Sequence, residues 1–190
     1  MRLLFRRRPP ARSALRWHGA AATSSIDRSE RRHDLYTGAV ARLPQEDSLA
    51  LFERLRDRLF RYDIFPSRLL SFALDPAPPL GSGTVIVQAV GVGRVRLEFA
   101  VKVIDSWDRS DASDRDAGFT YVTLRGHPER GRETFRAFIR SDGEVVFSME
   151  AWSEPGTRLT ALMGPVARFI QVHASRAAVR RVTGAQALDG

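Results

Sequence analysis

Between Gly118 and Phe135 the chain reads GFTYVTLRGHPERGRETF, and the residues on both sides of its centre alternate with the two-residue period of a β-strand. Phe119, Tyr121 and Thr123 alternate with Thr120, Val122 and Leu124. After the six residues from Gly126 to Gly131, Thr134, Arg136 and Phe138 alternate with Phe135, Ala137 and Ile139. Two such runs around a glycine-bounded break are expected to form an antiparallel hairpin. A hairpin of this kind needs further strands beside it and something apolar over one face, and that requirement limits the folds open to the chain.

The rest of the segment from Thr84 to Trp152 supplies the strands. Thr84 to Val92 reads as one, and Gly91 and Gly93 turn the chain into a second, Arg94 to Asp105. There Val95, Leu97, Phe99, Val101 and Val103 face one way and Arg96, Glu98, Ala100 and Lys102 the other, giving one buried and one wet face. A polar loop from Trp107 to Ala117 leads into the hairpin. Ser141, Asp142 and Gly143 form an Asp-Gly turn, and Glu144 to Ser153 buries Val145, Phe147, Met149 and Ala151 as the last strand.

Helical periods flank this sheet. From an N-cap at Asp47 or Ser48, the residues Leu49, Phe52, Leu55, Leu59 and Phe60 recur at helical spacing, ending near the run Tyr62 to Pro66. A short strand is expected around Tyr36 to Ala41, and a second short helix over Ser67 to Leu74. After Pro155 and Gly156, the residues Leu159, Leu162, Met163, Val166, Phe169, Ile170, Ala174 and Ala177 share one arc of a helical wheel. Pro165 either kinks this helix or begins a second one, and Arg176, Arg180 and Arg181 suit its C-terminal end. The order is α+β, and the economical way to cover the apolar face is a curved antiparallel sheet gripping the long C-terminal helix.

The chain carries a formal charge of +8, which invites a nucleic-acid reading, but residues 1–32 hold nine Arg against two acids and the remainder is nearly neutral. A phosphate-tracking groove needs its excess of Arg on the folded domain, so no nucleic-acid partner is expected for it. Residues 1–33 show no sustained apolar period and are expected to be a disordered Arg-rich tail, with the domain over 34–184 and a second disordered tail over 185–190. Arg6, Arg7 and Arg8 are followed by Pro9 and Pro10 rather than an apolar stretch, and no window reaches the ~18 apolar residues of a membrane span. A cytoplasmic location is therefore expected. With no Cys, the chain has no disulfide, thiolate nucleophile or Cys-based metal site.

The element order resembles the helix-grip fold of the START, polyketide cyclase and Bet v 1-like superfamily. The runs FRYDIFPSRLL, GSGTVIVQ, AGFTYVTLRGHPERGRETF and DGEVVFSMEAWSEPG, with RLTALMGPVARFIQ behind them, are similar to those of the uncharacterised DUF1990 family. The likeness covers Tyr36 to about Val182. It implies a sheet and C-terminal helix enclosing an apolar cavity, and it implies no particular activity.

Candidate site residues follow from chemistry and position. His127, held extended by Pro128, stands beside Glu129 and Arg130 in a glycine-bounded loop, where an imidazole and a carboxylate suit general acid–base work. The same two residues also suit hydrogen bonds that shape their own turn. Phe99, Phe119, Tyr121 and Phe147 lead the buried faces expected to line the cavity, with His127 at its rim. His173 falls near the centre of the helical arc, as a core histidine or a ligand contact.

Several other patterns are excluded by spacing. Asp105, Asp108, Asp111, Asp114 and Asp116 lack the spacing and closing Glu of a calcium loop, so no metal is expected. Gly81 with Gly83 and Gly91 with Gly93 precede strands rather than helices, which excludes a dinucleotide fingerprint and leaves no cofactor expected. No G-x-S-x-G elbow occurs.

The leading expectation is a binder of a small apolar or amphipathic ligand. The alternatives are a cyclase, dehydratase or isomerase using His127 and Glu129, and an interaction module acting through its basic tail.

Overall fold

The alternating runs become one antiparallel sheet of eight strands in a computed structural model of the chain, which describes residues 2–4, 11–25, 32–42, 45–67, 69–92, 95–109, 115–156 and 164–183. The strands are β1 (Arg2–Leu4), β2 (Arg32–Arg42), β3 (Leu70–Asp75), β4 (Val85–Val92), β5 (Val95–Asp108), β6 (Asp116–Thr123), β7 (Glu129–Ile139) and β8 (Glu144–Pro155). They lie in the order β2-β8-β7-β6-β5-β4-β3, with β1 paired to β5. Helix α1 (Gln45–Phe60) and helix α2 (Gly164–Thr183) complete the described elements, with a 3-10 helix over Ala11–Trp17. A curved sheet holding a C-terminal helix is the helix-grip arrangement expected from the order of elements. Among the described residues no helix is long and apolar enough to cross a membrane.

Register follows the apolar alternation, because a slip of one residue would turn each strand's apolar set to the wrong face. Phe119 pairs with Phe135, Phe135 with Met149 and Met149 with Tyr36, which carries one apolar row across four strands. Irregularities between Val103 and Asp105 in β5 and between Ala39 and Ala41 in β2 bend the sheet. Its concave side closes over Leu51, Phe52, Leu55 and Leu59 of α1 and over Tyr62, Ile64 and Phe65 just after it. Each such fully buried side chain contributes roughly 1.5–3 kcal/mol. Ser48, expected as a cap, lies inside the first turn and donates its hydroxyl to the Gly143 carbonyl at 3.0 Å, tying α1 to the β7–β8 hairpin.

The segment over Ser67 to Leu74 is not a helix. Leu70 to Asp75 pairs with β4 from Val90 down to Val85, and the open edge of β4 wins over a run too short to hold a helix by itself. The strand expected around Tyr36 to Ala41 is longer, running from Arg32 to Arg42 along β8, so the domain boundary expected at residue 34 falls within β2.

The N-terminal stretch expected as a disordered tail is, in its described parts, built into the fold. Leu3 pairs with Leu97, Ala22 bridges to Leu124, and Ala14, Trp17 and Ala20 pack on Val85, Val87, Ala100 and Leu124 of the outer sheet face. The expected wet face of β5 is therefore covered there, and Glu98 on it is fully buried, with Arg16 Nη2 3.2 Å from Oε1 as an ion contact without hydrogen-bond geometry. Ala14, Trp17 and Ala20 recur every three residues, which suits one narrow line of contact and escapes notice among so many arginines.

Helix α2 begins at Gly164 and Pro165, in keeping with proline at a helix start. Leu159, Leu162 and Met163 lie outside the described residues, as do the side chains of Val166, Phe169 and Ile170 and the expected tail over 185–190. In the C-terminal half Ser175, Ala177, Ala178 and Val182 are buried while His173 is exposed. Ala177 of the expected arc is buried and Ala174 packs against the core, but the buried face extends through Ser175, Ala178 and Val182 and leaves His173 outside it; the helix meets β2 at Gly38, where an added Cβ would come within 2.6 Å of Val179 Cγ1 and 2.8 Å of Thr183 Cγ2.

Two substitutions check these contacts by urea denaturation. Trp17→Ala lowers stability by about 3 kcal/mol because it empties the outer cluster, whereas a disordered tail would leave stability unchanged. Gly38→Ala costs about 1–3 kcal/mol, since the β-branched Val179 and Thr183 have little rotamer freedom in a helix to make room.

Candidate functional site

Tyr62 follows α1 in a left-handed conformation, with φ of 58°. A residue with a Cβ pays about 1–3 kcal/mol there, and glycine is the usual occupant. The turn closes through Tyr62 N–H to the Leu59 carbonyl and Asp63 N–H to the Arg58 carbonyl, both at 2.9 Å. What holds a tyrosine in this position is its side chain. The ring is fully buried against Phe65, Phe72, Phe119, Tyr121 and Phe135, and its hydroxyl accepts a hydrogen bond from Gln88 Nε2 at 2.6 Å.

A polar chain continues from Tyr62 across the apolar face. The Tyr121 hydroxyl adjoins Tyr62 and Gln88 and donates to the carboxylate of Glu133, its partner across β6 and β7. Glu133 stands opposite Ala151, and Ala151 opposite Asp34, so a second carboxylate lies along the same row. Burial pushes the Glu133 carboxyl up to about 7; the Tyr121 hydrogen bond works against this, and the Glu129 and Asp34 charges add to it. Burial likewise raises both tyrosines, so they stay protonated at neutral pH. The result is one carboxyl balanced between donor and acceptor, beside two hydroxyls and an amide, at the edge of the apolar core and within reach of the charges of Glu129 and Asp34. Titratable groups perturbed in this way gather at functional sites.

His127 makes the contacts of the second role expected for it, hydrogen bonds that shape its own turn. Its Nδ1 lies 3.0 Å from the Glu129 main-chain nitrogen, which donates to it, and 2.9 Å from the Glu129 carbonyl. The ring meets Phe99 edge-on at 4.5 Å, and burial lowers its pKa to about 4, so it is neutral. The imidazole thus shapes the turn through the main chain of Glu129 rather than pairing with its carboxylate. It also borders a small cavity of about 40 Å³ shared with Tyr121, Thr123, Glu129, Glu133 and Trp152. That space holds about one water molecule.

The other expected residues divide along the sheet. Phe99 and Tyr121 lie at the His127 end, Phe119 is stacked on Phe135 at 4.9 Å, and Phe147 sits further off between Ala137 and Gly38. His173, expected to face the cavity, is on the exposed side of α2. In the aspartate-rich loop, Asp108 accepts from Arg56 and Asp116 from Arg136 and Trp107, while Asp111 and Asp114 lie outside the described residues. Glu133, Gln88 and Asp34 did not stand out in the sequence. The signal for Glu133 was its parity, since it falls two residues before Phe135 and four before Ala137 on one strand face. Gln88, between Ile86 and Val90, has the same signature.

Comparisons bear on the fold and on the family. Residues 28–181 match the model of a family described as a domain of unknown function, DUF1990. No curated protein matches the sequence. A hypothetical protein from Helicobacter pylori is similar in structure over 83% of this chain and 91% of its own, at 8% identity and a TM-score of 0.50, which is a likeness of fold alone. Norcoclaurine synthase from Thalictrum flavum, in complex with dopamine and hydroxybenzaldehyde, covers 80% of this chain and 86% of its own at 10% identity and a TM-score of 0.43. Major latex-like protein 151 from Panax ginseng covers 75% and 97% at 11% identity and a TM-score of 0.41. These last two add nothing to the first.

The raised Glu133 carboxyl has a consequence for stability. The folded protein keeps a proton that the unfolded chain, with the ordinary value of 4.5, releases first, so the contribution of Glu133 falls as pH rises from 4.5 through about 7. Between about pH 5 and pH 8, wild type should lose of order 2 kcal/mol relative to Glu133→Gln, allowing for partial solvent screening. Urea unfolding of both proteins across that range measures the difference.

Proposed function

We propose that this chain, which belongs to the DUF1990 family, binds a small neutral amphipathic molecule at the concave face of its sheet, with the ligand's single hydroxyl or carbonyl group at Tyr121 and Glu133. The observation that carries this reading is the buried polar chain from Gln88 through Tyr62 and Tyr121 to Glu133. Packing alone has no need of it, because apolar residues of similar shape fill a core at no desolvation cost. The ligand's polar group takes the water-sized space beside Glu133, and its apolar body lies along Phe99, Val90 and Phe72 on the neighbouring strands. An anionic head is disfavoured by Glu129 and Asp34, whose charges already bear on Glu133.

The same groups support proton transfer as a second reading, favoured by a carboxyl whose pKa of about 7 matches neutral pH. Glu133 then takes or gives the proton and Tyr121 holds it in place. His127 contributes the neutral wall of the site.

Titration of the full chain with 1-decanol, followed by NMR at the backbone amide of Thr123 beside the cavity, tests the binding reading. Saturable shifts are expected, with Glu133→Gln and Tyr121→Phe each weakening binding about tenfold through one lost hydrogen bond. Ala151→Phe, which fills the cavity, is expected to abolish it. Unsaturable shifts, or equal affinity in all the variants, would remove the reading.

A further inference from the structure

The outer face of the sheet is covered around β4 and Ala100, where Ala14, Trp17 and Ala20 lie across it. At the other end of β5 the same face carries exposed Asp105, Arg109 and Arg136 around a half-buried Trp107. Pairing sets these side chains outward. Asp105 stands opposite Thr120 and Trp107 opposite Gly118, on the side away from Phe119 and Tyr121 of the core.

Gly118 decides how the indole lies. An added Cβ there would stand 2.5 Å from Trp107 Cζ2 and 2.8 Å from Cη2, so the benzene half of the ring rests on the bare main chain of β6. Trp107 Nε1–H donates to Asp116 Oδ1 at 3.0 Å. Arg136, opposite Gly118 on β7, donates to the same carboxylate from Nε at 2.8 Å and Nη2 at 3.2 Å. Its guanidinium in turn lies over the Phe138 ring, with Cζ 4.4 Å from the centroid. Burial alone would raise the Asp116 carboxyl, but the bonds from Arg136 and Trp107 and the charges of Arg136 and Arg109 hold it below its ordinary value. The carboxylate stays ionised and keeps both partners in place, so a molecule stacking on the indole pays little to order it.

Charge and hydrogen bonding decide what kind of molecule fits. Asp105 and Asp116 are balanced by Arg109 and Arg136, so the patch has no net field to draw in a strongly charged ligand. Asp116 is spent on its two partners. Asp105, two residues before Trp107 on the same strand face, offers acceptors, and Arg136, across β6 from Trp107, keeps Nη1 outside its bonds to Asp116 as a donor. A hydroxyl both donates and accepts, and so suits both groups. The negative π-face of the indole attracts polarised C–H bonds. A pyranose ring with all its hydroxyls equatorial combines these features, with C–H bonds on its faces and hydroxyls around its rim.

We propose that this patch is a carbohydrate-binding site, taking one neutral pyranoside with equatorial hydroxyls that stacks on Trp107, donates a hydrogen bond to Asp105 and accepts one from Arg136. It lies on the opposite side of the sheet from Glu133 and does not rest on the concave-face reading.

Methyl β-D-glucopyranoside is the probe, with D-sorbitol as an open-chain polyol that has no ring face. In the full chain, the glucoside is expected to shift the Trp107 indole N–H saturably in NMR spectra, with half-saturation of order 1–10 mM for so small a ligand. Sorbitol should leave that resonance where it is. Asp105→Ala, at an exposed position that the fold does not need, should weaken the glucoside about tenfold through one lost charge-assisted hydrogen bond. Trp107→Ala, followed at the Gly118 amide, should abolish binding. The proposal is overturned if Trp107 shows no saturable response, if sorbitol shifts it equally, or if either variant binds the glucoside as wild type does. None of these outcomes depends on whether decanol binds beside Glu133.

Discussion

A carboxyl group placed on the apolar side of a sheet sets the terms for its neighbours. Glu133 shares a strand face with Phe135 and Ala137, and burying its charge without partners would cost several kcal/mol. Three side chains limit that cost. Tyr121 donates to it directly, Tyr62 adjoins Tyr121, and Gln88 donates to Tyr62. The chain of contacts explains a backbone feature far from Glu133 in sequence, since Tyr62 keeps a left-handed conformation in order to reach the middle of the sheet. Its strain of about 1–3 kcal/mol is of the same size as the burial of one aromatic ring, so the site persists only while the surrounding rings stay packed.

Curvature and cover follow from the same sheet. Bulges in β2 and β5 bend it around α1 and the residues after it, and α2 closes on β2 where Gly38 removes a Cβ from its path. The outer face is not left to water over β4 and β5, because Trp17 and its neighbours lie across it. The basic N-terminal stretch therefore does structural work in its described parts. Arg16 also sets a positive charge beside the buried Glu98.

Much of this was legible in the sequence, and the reasons for success and failure are physical. Period-two alternation located β5 to β8 from the apolar set each turns to the concave face, β4, buried on both faces, showed as a nearly continuous apolar run, and the Asp-Gly turn was placed correctly because Gly143 takes up a positive φ of 81°. Leu70 to Asp75 was misread because a six-residue run carries too little periodicity to set against the pairing offered by β4. His173 was misplaced because both Ala177 and Ala178 are buried, and helical arcs drawn through alanines do not fix rotation. Of the residues around the small cavity, Tyr121 and His127 stood out in the sequence by type and position, while Glu133 did not. Its parity with Phe135 was visible, but its partners Tyr62 and Gln88 are brought to it only by tertiary structure.

The state of the Glu133 carboxyl is the point on which these features converge. Side-chain carboxyl NMR of the full chain, selectively labelled at glutamate and assigned with Glu133→Gln, follows its titration directly. The account predicts a midpoint near 7, set by burial against the concave face. A midpoint at the ordinary value of 4.5 would contradict it, because it would place the carboxyl in water and leave Tyr121, Tyr62 and Gln88 without the group they are arranged around.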